Sequence, residues 1–144
     1  GMLHDFDWDI CPTPDQHPAF GANILRERGC SDEIVRAVLS HGNHTGISRE
    51  TTMEKALFAV DELSGFITAV GLVRPTKSLD DVDPKAVKRK MKDKAFAKSI
   101  NREDIVNGAS DLGVDLDQHI TFVINALKPI SDSLGLKRGA DQIG

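Results

Sequence analysis

Apolar positions recur at three- and four-residue spacing through most of this chain, and the pattern predicts helix after helix. Residues 19–28 place Phe20, Ile24 and Leu25 on one face and stop at Gly29, a residue suited to the left-handed position after a helix C-terminus. Ser31 is placed to cap a second helix whose apolar residues Ile34, Val35, Val38 and Leu39 lead to His41, with Gly42 ending it. The longest periodic stretch, 51–73, carries Met53, Leu57, Val60, Ser64 and Ile67 along one face and reads as the central helix. Its small residues Ala56, Ala59, Gly65, Ala69 and Gly71 allow close helix approach.

Beyond Pro75 a polar loop leads to Asp83-Pro84, a cap followed by proline at the first helical position, and a basic helix over 85–98 is expected there. Asn101 with Asp104 marks the start of a helix over 102–112 closed by Gly113, and 116–127 supplies a last amphipathic helix. No four- to eight-residue alternation survives, so no strand is expected. The fold class predicted is all-α, a compact multi-helix bundle occupying residues 1–135, with 136–144 as a flexible tail.

A chain of 144 residues can bury a true core within one domain. The two cysteines, Cys11 and Cys30, are too few for a disulfide framework and lack CxxC spacing, which points to a reducing cytoplasm. The longest apolar run is broken by Asp61 and Glu62, which argues against a membrane span, and nothing resembles a signal peptide. The net charge of -4 conceals a polarity along the chain. The first twenty residues carry Asp5, Asp7, Asp9 and Asp15 with no Lys or Arg, while 85–98 is dense in lysine. An acidic end rich in histidine suits a cation; a basic segment suits phosphate.

Four of the five histidines fall at positions 4, 17, 41 and 44. His4-Asp5 is an imidazole and a carboxylate side by side, pressed between Leu3 and Phe6, and such groups want a cation or each other. Mixed imidazole and carboxylate donors suit a divalent transition metal better than calcium. Asp61 stands among apolar neighbours on the central helix and needs a positive partner, either a metal ion or a basic side chain. His119, on the last helix, is expected at the surface or an interface.

Taken whole, the pattern resembles the HD-domain (HDIG-type) superfamily of metal-dependent phosphohydrolases. The resemblance is carried by Leu3-His4-Asp5-Phe6-Asp7, by His17-Pro-Ala-Phe-Gly-Ala-Asn-Ile-Leu25, by Ala37-Val-Leu-Ser-His41 and by Ala59-Val-Asp61-Glu-Leu-Ser-Gly65. It implies an all-α fold and His4, Asp5 and Asp61 as metal ligands. Asp5, His17 and His41 would form the catalytic set, the two histidines binding a second metal or the substrate phosphate. The implied cofactor is one or two divalent ions of Mn, Zn, Fe, Ni or Co, with Mg as an alternative. The implied substrate is a phosphomonoester or phosphodiester, a nucleotide or other small phosphorylated metabolite, with Arg74 and Lys77 as candidates to neutralise its phosphate.

The family's first metal-binding histidine lies on a helix before the His-Asp pair, where this chain has only Gly1-Met2-Leu3. The expectation is therefore an N-terminally truncated domain short of one ligand, with His44 as a substitute and with an exposed apolar surface that a second copy would cover in a homodimer. The other class of function is a catalytically weak binding or scaffold domain that recognises a nucleotide or nucleic acid through the basic helix 85–98. No aromatic residue interleaves those lysines before Phe96, so sequence-specific RNA recognition is not expected.

Overall fold

A computed structural model of the chain describes residues 1–137. Among these residues the structure is all-α, with six α-helices and three short 3₁₀ segments. The helices are α1 (Ala19–Glu27), α2 (Asp32–His41), α3 (Thr52–Leu72), α4 (Pro84–Met91), α5 (Arg102–Leu112) and α6 (Leu116–Leu127). No strand occurs among the described residues; Ser78 and Lys137 form one isolated bridge. None of these helices is long and apolar enough to cross a membrane. The contacts divide the chain into two compact units, Gly1–Phe58 and a second beginning at Ala59, the boundary falling within α3.

In the first unit α1 and α2 pack on each other. Ala22, Leu25, Val35 and Val38 are buried between them, with Phe6, Cys30 and Leu39 at the margin. Gly29 adopts φ +77 after α1, the conformation that favours glycine. Ser31 occupies the position before α2 but makes no side-chain cap. The start of α3 is held by Thr51 and Glu54: the Glu54 N–H donates to Thr51 Oγ1 at 3.3 Å, and Glu54 Oε2 accepts from the backbone of Thr51 at 3.1 Å and Glu50 at 2.6 Å. This is a capping box in geometry. Arg36 of α2 completes it through an ion pair, Nε to Glu54 Oε1 at 2.9 Å, so the fully buried carboxylate ties α2 to the first turn of α3. Apolar side chains also remain exposed on this unit, notably Met2, Trp8 and Ile10.

The second unit has its own core, built from Leu63, Phe66, Ile67 and Val70 of α3 against Val87 of α4, Ile105 of α5 and Ile120, Val123 and Ile124 of α6. The inward face of α3 therefore differs from the expected one: Met53 is exposed, and Leu63, Phe66, Ile67 and Val70 are sealed. Apolar residues surround this helix, so spacing alone does not select a face. α4 starts as expected, with the Asp83 carboxylate accepting from Ala86 N–H at 2.7 Å. It stops at Met91 rather than running to residue 98. The Asp93 side chain accepts from the backbone N–H of Ala95 and Phe96, and the Arg102 guanidinium donates to the carbonyls of Phe96, Ala97 and Ile100. These bonds hold the segment in turns.

The tail expectation also needs correction at its start. Leu136 is buried in the second core, and Lys137 N–H donates to Lys77 O at 2.7 Å. The remainder of the expected tail, 138–144, lies outside the described residues. His119, expected at the surface or an interface, is buried and donates from Nε2 to Ala59 O at 2.9 Å, because α5 and α6 fold over α3 at that point.

Two outcomes follow from this packing. A Cβ on Gly108 would stand 2.7 Å from the Ala59 Cα, a backbone atom. Helix propensity alone favours Gly108→Ala by about 1 kcal/mol. Steric overlap should outweigh it, giving a net loss of about 1–3 kcal/mol in urea unfolding; a more stable variant would show that the helices can part freely.

Burial pushes the Glu54 carboxyl upward, but the backbone donors of Glu50 and Thr51 together with Arg36 outweigh it, leaving the group below its ordinary value of 4.5. A depressed carboxylate contributes stability above its unfolded value and loses it as pH falls through the folded one. Glu54→Gln should accordingly lower the urea midpoint near neutral pH, and its deficit should shrink in acid; a deficit equal at both pH values would contradict this account.

Candidate metal centre

The first unit gathers four of the sequence-predicted residues. His4 and Asp5 lie in a series of N-terminal turns rather than on a helix, His17 lies just before α1, and His41 is the last residue of α2. Turns are formed there because Trp8 N–H donates to Asp5 O and the N–H groups of Ile10 and Cys11 both donate to Asp7 O. The chain doubles back, so residues 12 and 36 positions apart meet: Asp5 Oδ1 is 3.2 Å from His17 Nε2 and 3.4 Å from His41 Nε2. The two imidazole nitrogens are 3.3 Å from each other. His4 joins through Nε2, 3.1 Å from Asp5 Oδ2.

The ring tautomers follow from their outer partners. His17 Nδ1 lies 2.7 Å from Asp7 Oδ1, His41 Nδ1 2.5 Å from Val38 O and His4 Nδ1 2.5 Å from Gly1 O. Carboxylates and carbonyls only accept, so each Nδ1 carries the proton and donates it. In the neutral rings each Nε2 then presents a lone pair. Two lone pairs facing at 3.3 Å cannot hydrogen-bond to one another, and Asp5 adds a third acceptor to the same spot. A proton on one imidazole links only one pair; a cation at the centre takes all three lone pairs.

The dimensions agree with that reading. A tetrahedral zinc-type site with bonds of about 2.0–2.1 Å has edges of roughly 3.3–3.4 Å between ligand atoms. The triangle of Asp5, His17 and His41 has edges of 3.2, 3.3 and 3.4 Å. Its donor chemistry, two nitrogens and an oxygen, suits a divalent transition metal. The Asp5 carboxyl is held well below the usual carboxylate range, first by the adjoining His4 ring, then by that of His41, with burial opposing. Asp5 is thus an anion throughout the neutral range.

The residue that sequence reasoning missed is Asp7. It is fully buried, and it accepts from both His17 Nδ1–H and Gly21 N–H, the latter at 2.8 Å. Two fixed donors hold the carboxylate, and the carboxylate holds the His17 ring with Nε2 toward Asp5. Trp8 packs edge-on against the same ring, centroids 4.8 Å apart. His44, expected as a substitute ligand, does something else: its Nε2–H donates to the His17 carbonyl at 2.5 Å and braces the backbone there. The signal in the sequence was the alternation Asp5-Phe6-Asp7, in which one carboxylate is turned to the interior.

Next to His4 lies a cavity of about 510 Å³ with a mostly apolar lining that includes Leu3, Ile34, Val38, Met53 and Leu57. The other sequence-predicted residues belong to the second unit. Asp61 is half-buried on α3, Arg74 is half-buried just after it, and Lys77 is exposed with φ +50. No known protein family, curated protein or solved structure matches this chain.

The role of Asp7 can be read without touching a ligand. In Asp7→Asn the amide cannot accept from both donors, and a Cβ in Gly21→Ala would stand 2.7 Å from the Asp7 Cγ. Each should weaken metal binding roughly 10–100-fold, as loss of a ligand-orienting partner does. Isothermal titration with Zn²⁺ or Mn²⁺ measures this; unchanged affinity in both variants would remove Asp7 from the centre.

Proposed function

We propose that this protein is a metal-dependent phosphohydrolase acting on a phosphomonoester or phosphodiester of a nucleotide or small metabolite. The observation that supports the reading is the triangle of Asp5 Oδ1, His17 Nε2 and His41 Nε2, three acceptors facing one point with both ring Nδ1 atoms already committed. The resemblance to HD-domain hydrolases supplies the reaction class. When bound there, such an ion would lower the pKa of a water toward neutrality and polarise a phosphoryl oxygen.

The chain's own residues do the positioning. Asp5 stays ionised and offers one oxygen to the centre and the other to His4. Asp7 and the Val38 carbonyl keep protons on the outer nitrogens of His17 and His41, so the inner nitrogens remain available. Burial of both rings excludes bulk water from one side of the site, while the half-exposed Asp5 leaves the other side open to substrate. The cavity beside His4 offers room for the apolar part of a substrate.

Asp5→Ala, His17→Ala and His41→Ala should each abolish retention of a divalent ion in elemental analysis and reduce hydrolysis across a panel of phosphomonoesters and phosphodiesters to background. The resemblance adds Asp61 to the ligand set, and Asp61→Asn tests that assignment separately by the same measurements. Hydrolysis that survives EDTA and all three alanine variants would end the proposal.

A further inference from the structure

The second unit holds a small, strongly cationic pocket, one of whose lining residues, Arg74, the sequence offers as a phosphate partner. It has a volume of about 170 Å³ and lies between the end of α3 and the face of α4. Arg74, Arg89 and Lys90 line it together with the apolar side chains of Val73, Pro75 and Ala86, and no carboxylate is among its lining residues. Three like charges around one small space repel each other, so this grouping favours an anion in the middle.

The partners of the three cations sharpen the point. Among the described residues Arg74 makes no ion pair, and its Nε is buried without a hydrogen-bond partner. A guanidinium N–H withdrawn from water and unpaired is a donor waiting for an acceptor. Arg89, at the exposed rim, likewise makes no ion pair among the described residues. Lys90 makes only a long contact, 3.8 Å from Asp93 Oδ2, and sits 4.8 Å over the Phe96 ring. Two neighbouring basic groups are by contrast engaged: Lys88 pairs with Asp117 at 2.7 Å, and Arg102 binds backbone carbonyls.

We infer that this pocket binds a phosphoryl group, either as inorganic phosphate or as the terminus of a small phosphomonoester. Size selects the ligand. Small-molecule pockets commonly run from about 300 Å³ upward, and this one is smaller, so a nucleoside does not fit inside it. Its volume equals that of about five or six liquid waters, enough for a tetrahedral oxyanion with one or two waters. Two guanidinium groups with their planar arrays of donors match phosphate oxygens, and a lysine adds a point charge. Of the two cations the sequence offers for phosphate, Arg74 lines this pocket beside Arg89 and Lys90, and Lys77 is not among the lining residues. This inference is independent of the metal reading.

The test is an NMR titration of the full chain, following the Arg74 side-chain Nε–H resonance and the backbone amides of residues 74, 89 and 90 as inorganic phosphate replaces chloride at constant ionic strength, then repeated with glycerol 3-phosphate. Saturable shifts are expected, and Arg74→Gln and Arg89→Gln should each weaken binding by roughly tenfold or more. Arg89 is at the rim, so its variant reports even if Arg74→Gln folds poorly. Response to inorganic phosphate alone assigns the free ion; response to both assigns the terminal phosphoryl group. Asp5→Ala should bind phosphate as well as the unaltered protein. The inference is overturned if chloride alone reproduces the shift, if neither arginine variant weakens binding, or if Asp5→Ala loses it.

Discussion

One buried carboxylate organises the first unit. Asp7 has no access to water, and its charge is tolerable only because His17 Nδ1–H and Gly21 N–H both donate to it. That requirement fixes where the N-terminal turns lie against α1, and it requires glycine at position 21, where any Cβ would meet the carboxylate. It also fixes the His17 ring, and with it the direction of the Nε2 lone pair. Asp5, two residues away, is then presented to the two imidazoles. The chemistry of the candidate centre is in this sense a consequence of how one charge is buried.

Glu54 solves a similar problem by different means. It closes the first turn of α3 by accepting from two backbone N–H groups and pairs with Arg36 of α2, so a single carboxylate serves as cap, ion-pair partner and tie between helices. Arg102 plays the converse part in the second unit, donating to the Ala97 and Ile100 carbonyls in the turns that follow α4. Both cases show backbone groups finding side-chain partners where a helix begins or ends. The consequence for function lies in α4: its early stop leaves Arg89 and Lys90 in the last turn, lining the cationic pocket.

Much of the secondary structure was legible in the sequence, for local reasons. Asp83 and Asn101 each accept from the helix they precede, and Gly29 and Gly113 take the left-handed conformation their positions require. The start of α4 and the bounds of α5 follow from these signals. The inward face of α3 was not legible, because its apolar residues surround the helix and only the partners choose among them. The burial of His119 likewise depends on where α6 meets the Ala59 carbonyl, which no local pattern encodes.

For the site, sequence alone determined that histidines and carboxylates crowd the N-terminal third and that a mixed imidazole and carboxylate set suits a transition metal. Tertiary structure decided which of them converge. Asp5, His17 and His41 meet because a run of turns and two helix ends bring distant positions within hydrogen-bonding range, with Asp7 aiming the His17 ring and His44 bracing the backbone there. Residue type and spacing report what a side chain can do. Only the burial of its neighbours and the direction of each ring nitrogen determine what it faces.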